Sequence, residues 1–127
     1  MSPPDTIARR WIHRFVCAGR GLCYVLANEP SGRVHCVALG VVPVLGGWLG
    51  LTALEWAVLA LAAASVIAAE ALNTAVERLA DRVSKEREET IGLIKDVAAG
   101  GVLASTIGAV IAGLAVIGPK LWAVVFR

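Results

Sequence analysis

The chain has 127 residues, 57% of them apolar and 17% charged, and Lys+Arg 12 against Asp+Glu 10 leaves a net charge of +2. A mean hydropathy of +0.73 excludes disorder and argues against a soluble domain, since average globular chains are about one quarter charged. The near-balance of charge gives no nucleic-acid footprint, so no nucleic-acid partner is expected.

The length fits one unit, residues 1–127, read as a single membrane domain. Residues 5–28 are predicted to form an amphipathic surface helix. Projected at a helical period, Ile7, Trp11, Phe15, Ala18, Leu22, Val25 and Leu26 share one face, opposite Arg9, Arg10, His13, Arg14, Cys17, Arg20, Tyr24 and Asn28. A basic face opposite a Trp/Phe/Leu face suits a helix lying flat on an anionic membrane. Arg14 and Arg20 interrupt what would be the apolar core of a signal peptide. Cys17, Cys23 and Cys36 are odd in number and lack C-x-x-C spacing, which reads as reduced packing thiols. Pro30 ends the surface helix and leaves the Glu29 carboxylate at a turn.

Residues 34–51 are apolar apart from His35 and Cys36 and form the first expected span, with Gly46 and Gly50 marking a turn at its far end. Residues 54–83 form a long second span whose far end is charged, and residues 91–126 a third. Trp48, Trp56 and Trp122 fall near one membrane boundary and Trp11 at the other. Arg9, Arg10, Arg14, Arg20 and Arg33 then share a side with Arg78, Arg82, Lys85, Arg87 and Lys95. The positive-inside rule makes that side cytoplasmic and puts the C-terminus outside. Ala104, Gly108 and Ala112 make a small-residue ridge for close helix packing.

Chemistry concentrates on the second span, where Glu70, Asn73, Glu77 and Asp81 are spaced by three, four and four and share one narrow arc. A carboxylate within a span costs about 2.5 to 3.5 kcal/mol on insertion scales, so the stripe needs cationic company. At about 1.5 Å per residue, Glu70 lies ~21 Å inward from Trp56 and Glu77 ~31 Å, against a hydrocarbon core of ~30 Å. Glu70 is therefore just inside the lipid, while Glu77 and Asp81 reach water. Carboxylates at the wet end suit Mg²⁺, and a base one turn deeper meets a lipid hydroxyl. Lys95 and Asp96, expected at the start of the third helix, offer a point charge for phosphate and a further metal-binding or hydrogen-bonding carboxylate. Glu29 joins from the same side. His35 is either a headgroup contact or an interfacial histidine without a chemical role. Neither a P-loop nor a Rossmann fingerprint is present.

The run Glu70-Ala71-Leu72-Asn73-Thr74-Ala75-Val76-Glu77, followed by Asp81, resembles the E-x-x-N-[ST]-A-[IV]-E signature of the prokaryotic diacylglycerol kinase family. Lys95-Asp96-Val97-Ala98-Ala99-Gly100-Gly101 is similar to that family's second motif, and Asn28-Glu29 with Arg33 to its turn before the first span. The resemblance extends from about Arg10 to Leu121. It implies a bacterial inner-membrane lipid kinase, three spans and a surface helix per chain, assembled as a homotrimer and using Mg²⁺ and ATP. On that resemblance Glu70 is the catalytic base with Asn73 in support, and Glu29 and Glu77 are metal ligands. Arg10, Glu29, Glu77, Asp81, Lys95 and Asp96 meet the nucleotide, and Arg33, His35 and Glu70 meet the lipid.

Departures from the pattern fall at Cys17, where an aromatic residue is common, and at Glu86-Arg87-Glu88, where a Glu-aromatic-His stretch is common. The Arg33-Val34-His35 triplet and the Glu55-Trp56 pair look more like the undecaprenol kinase branch than the branch acting on diacylglycerol. The alternatives are diacylglycerol as main substrate, or a non-enzymatic membrane regulator that kept the fold.

Overall fold

The computed structural model describes residues 7–83 and 88–126, the side chains of Pro30, Ser31 and Arg33 excepted. Residues 5, 6 and 84–87, Arg127 and the Arg33 side chain, on which some expectations rest, lie outside the described residues. Four helices follow in order, α1 (Ile7–Asn28), α2 (Pro30–Leu49), α3 (Ala53–Val83) and α4 (Glu89–Val125), with no strand among the described residues.

The junction of α1 and α2 is a single residue. Glu29 is extended at φ −87°, ψ 140°, because the ring of the following proline disfavours helical geometry there. Pro30, lacking an N–H, is suited to the first helical position and starts α2 at once, four residues before the predicted apolar stretch. A Cβ at Gly32 would collide with the Leu26 backbone, so the close passage of α2 against α1 requires glycine.

The far end of α2 is set by Gly50, in the left-handed region at φ 63°. Its N–H bonds to Gly47 O at 3.4 Å and the Leu51 N–H to Gly46 O at 3.1 Å, a Schellman closure. The helix thus stops at Leu49, two residues short of the expected boundary. Thr52 and Glu55 then form a reciprocal capping box: Thr52 N donates to Glu55 Oε2 at 2.7 Å and Glu55 N to Thr52 Oγ1 at 3.3 Å.

Lys120 Nζ of α4 reaches Glu55 Oε2 at 3.2 Å and Gly50 O at 3.3 Å, closing this end of the helices. The main packed pair is α3 with α4, and Leu59, Val66, Thr74 and Ala80 give α3 its buried face. The start of α4 corrects one expectation. Lys95 and Asp96 lie in its second turn, because the helix begins at Glu89 after the extended Glu88, and an acid in the first turn is favoured by the helix dipole.

Helices α3 (31 residues) and α4 (37 residues) are long and apolar enough to cross a membrane, whereas the apolar part of α2, Val34–Leu49, is shorter. Their large apolar side chains face outward, Leu61 at 73% exposure and Leu114 at 68% among them. An outward apolar surface of this kind fits lipid or other protein, not water.

Candidate active site

The polar stripe of α3 is built by helical periodicity, and each member has a different partner. Glu70 Oε1 lies 3.5 Å from His35 Nε2 of α2, at the outer limit of a hydrogen bond, with side-chain exposures of only 12% and 17%. One turn on, Asn73 Nδ2 donates to Glu77 Oε1 at 3.1 Å. The Oδ1 of Asn73 is buried without a partner among the described residues. At the end of the stripe Asp81 Oδ1 accepts from Lys95 Nζ of α4 at 2.9 Å. The stripe is thus a series of links to α2, along α3, and to α4, running from a half-buried carboxylate to an exposed ion pair.

A further link went unforeseen. Arg78 of α3 donates to the Tyr24 hydroxyl of α1, and its guanidinium carbon sits 4.4 Å from the Tyr24 ring centroid. The residue pattern put Tyr24 on the polar face of α1 without a role; a phenol among arginines on a surface helix was the one available signal. Val25, next to it, is the buried residue of α1. The Tyr24–Arg78 contact joins the last turns of α1 to α3.

Other expected site residues are not brought into contact. Glu29 is half-buried at the α1–α2 junction and makes no side-chain cap bond. Arg10 and Asp96 are exposed and make no side-chain bond to described residues. No group of three His, Cys, Asp or Glu suited to a metal forms among the described residues, so Glu29 and Glu77 do not by themselves complete a metal centre. What the stripe does offer is hard oxygen donors: a carboxylate at Glu77 and the unpartnered amide oxygen of Asn73 beside it, the donor chemistry Mg²⁺ prefers.

Long apolar helices ending in an acid–amide stripe met by a histidine and a lysine describe a membrane protein whose polar chemistry is gathered at one end of the spans. A family model described as prokaryotic diacylglycerol kinase matches residues 16–117. The chain is 31% identical over 112 residues to the undecaprenol kinase of Bacillus subtilis, covering 88% of this chain and 91% of that protein. It is 35% identical over 116 residues to a diacylglycerol kinase of Synechocystis, covering 91% and 66%, and 34% over 92 residues to that of Escherichia coli, covering 72% and 75%. The chain belongs to the prokaryotic diacylglycerol kinase family. It is a membrane lipid kinase, a phosphotransferase with an alcohol acceptor and a nucleotide phosphoryl donor.

Proposed function

We propose that this chain transfers the γ-phosphoryl group of ATP to a lipid alcohol at the cytoplasmic face of a bacterial membrane, with Glu70 as the base. The observation that carries the reading is the half-buried Glu70 carboxylate, placed beyond the apolar length of α3 and next to the polar series Asn73, Glu77 and Asp81. A carboxylate held out of water at the edge of the hydrocarbon meets a lipid hydroxyl where an exposed one would meet only water.

In the reaction the hydroxyl proton passes to Glu70 as the hydroxyl oxygen forms its bond to the γ-phosphorus. The bond from that phosphorus to the bridging oxygen breaks and ADP leaves. Asn73 holds Glu77 through its amide, and its buried Oδ1 remains an acceptor without a partner among the described residues. Lys95 and Asp96 approach the phosphates from α4 and Arg10 from α1, while Asp81 holds the Lys95 ammonium. Glu70 faces the lipid hydroxyl, and the family resemblance alone assigns Arg33 to the lipid. The residues that would hold Mg²⁺ are Glu29 and Glu77, and the ion would neutralise phosphate charge.

Undecaprenol is the proposed preferred lipid, supported by His35, by the Glu55-Trp56 pair and by the undecaprenol kinase among the relatives. The second reading is diacylglycerol, favoured by the names of the other two relatives. A non-enzymatic regulator has no specific observation in its favour, since acid, amide and lysine are all retained.

The proposed architecture is a surface helix (α1) and three spans (α2, α3, α4) in a homotrimer, with the N-terminus cytoplasmic and the C-terminus outside. At 20 residues α2 is about 30 Å long, enough to cross when its polar first turn is included. The test of the base is Glu70→Gln, expected to lower kcat by on the order of 10²- to 10⁴-fold with both KM values little changed. A variant with wild-type kcat would remove Glu70 from the chemistry.

A further inference from the structure

Glu70 has a dilemma common to deep carboxylates. Burial that keeps water away also strips the group of hydrogen bonds, and a three-torsion side chain without partners does not stay where a reacting hydroxyl needs it. Its own helix gives no help. The residues one turn away are Val66, Ile67, Asn73 and Thr74; the first two are apolar, the Asn73 amide is turned to Glu77, and among the described residues the buried Thr74 makes no side-chain bond to Glu70. Among the described residues the one side chain in polar contact with Glu70 is His35, from the second turn of α2.

The two carboxylate oxygens are not equivalent. Oε1 lies against His35 Nε2, whereas Oε2 has no side-chain partner among the described residues. Nor is Oε2 sealed off, because among the described residues the fully buried side-chain atom left without a bond is Asn73 Oδ1 and not an atom of Glu70. One oxygen is tethered and the other is open. With Glu70 ionised, as a base must be, its carboxylate can only accept, so a hydrogen bond here requires the hydrogen on Nε2.

We propose that His35 is a positioning residue for phosphoryl transfer, whose Nε2–H holds Glu70 Oε1 and thereby presents Oε2 to the lipid hydroxyl. This rests on the reading of Glu70 as the base, and it differs from a role for His35 in binding the lipid. A lipid contact would act on lipid affinity. A tether on the base acts on turnover, because it fixes the group used in the transition state.

The experiment is steady-state kinetics of the purified protein in detergent micelles with undecaprenol and ATP, varied separately, for His35→Ala, His35→Gln and His35→Asn, each also made with Glu70→Gln. His35→Ala is expected to lower kcat by roughly 10- to 100-fold, with KM for lipid and nucleotide within about twofold of wild type. His35→Gln, which keeps an N–H donor at similar reach, is expected to recover most of the loss. His35→Asn, one methylene shorter, recovers less. In the Glu70→Gln background none of the three changes the residual rate further, because the tethered base is already gone.

Unchanged kcat in His35→Ala, or a loss confined to lipid KM, would overturn the proposal, and the latter would make His35 a lipid contact. Equal losses in the Glu70→Gln background would overturn it too, by showing that His35 acts elsewhere. If His35→Ala does not fold, the comparison of Gln with Asn decides by itself: equal rates contradict a tether. Failure of the underlying reading looks different, since Glu70→Gln would then retain wild-type kcat whatever stands at position 35.

Discussion

Lys95 Nζ lies 2.9 Å from Asp81 Oδ1, joining the second turn of α4 to the last turns of α3. Asp81 is exposed at 68% and Lys95 half-buried at 36%, and an ion pair this open to solvent adds little to stability. The bond is better understood as holding an ammonium ready for phosphate. Lys95→Ala is therefore expected to lower kcat/KM for ATP by on the order of 10²-fold, and Asp81→Asn by less, with melting temperature in detergent unchanged in both. Equal losses of stability and activity in the two variants would make the pair structural.

Tyr24 and Arg78 fasten the end of α1 to α3 through a hydrogen bond and a cation–ring contact. Exposed cation–π pairs are worth about 0.5–1 kcal/mol, so Arg78→Ala is expected to raise amide exchange in the last turns of α1 by roughly two- to fivefold. Tyr24→Phe, which keeps the ring and loses the hydroxyl, falls between. Hydrogen exchange in lipid nanodiscs reads this directly, and unchanged protection in Arg78→Ala would show that this contact does not hold α1 in place.

At the other end of α3, Glu55 serves the Thr52 cap and the Lys120 ammonium with the same Oε2 atom. Glu55→Ala removes both connections at once and is expected to lower the melting temperature by a few degrees. Lys120→Met, which spares the capping box, is expected to lower it less. Turnover below the melting transition stays at the wild-type value in both, because Glu55 lies about 22 Å along α3 from Glu70. A fall in kcat without a fall in stability would place the cluster in the reaction.

A trimer with shared sites predicts complementation. Chains carrying Glu70→Gln and chains carrying Lys95→Ala, each of low activity, regain activity when unfolded together and reassembled, since some sites then combine an intact Glu70 with an intact Lys95. The small-residue ridge of Ala104, Gly108 and Ala112 on α4 and the outward apolar side chains support such an assembly. No recovery, with mixed oligomers verified by crosslinking, would place both residues of a site in one chain.

Periodicity and hydropathy made the helices legible, and the spacing of Glu70, Asn73, Glu77 and Asp81 made the stripe legible, because both signals are local in the chain. The stop at Gly50 was also readable, as glycine adopts a left-handed backbone without strain. What escaped was contact between distant positions. Tyr24 with Arg78 and Glu55 with Lys120 are ordinary residues until the helices are placed side by side, and Lys120 looked only like a stray charge. His35 and Glu70 were each conspicuous as polar groups in apolar surroundings, but nothing in their separation announced a pair. The start of α4 was misplaced because the sequence reading began the helix where apolar residues begin, whereas the chain turns helical through its polar approach.

Direct assay of phosphoryl transfer is the decisive measurement. Purified protein in detergent micelles with Mg²⁺ and γ-labelled ATP is supplied with undecaprenol or diacylglycerol at equal mole fraction, and labelled lipid phosphate is followed over time. The expected result is label in the lipid, matched by ADP release, dependent on Glu70 and faster with undecaprenol. A clear excess for diacylglycerol would reverse the substrate order and leave the mechanism standing. Label in neither lipid, from folded protein, would contradict the assignment of ATP-dependent lipid phosphorylation to this site.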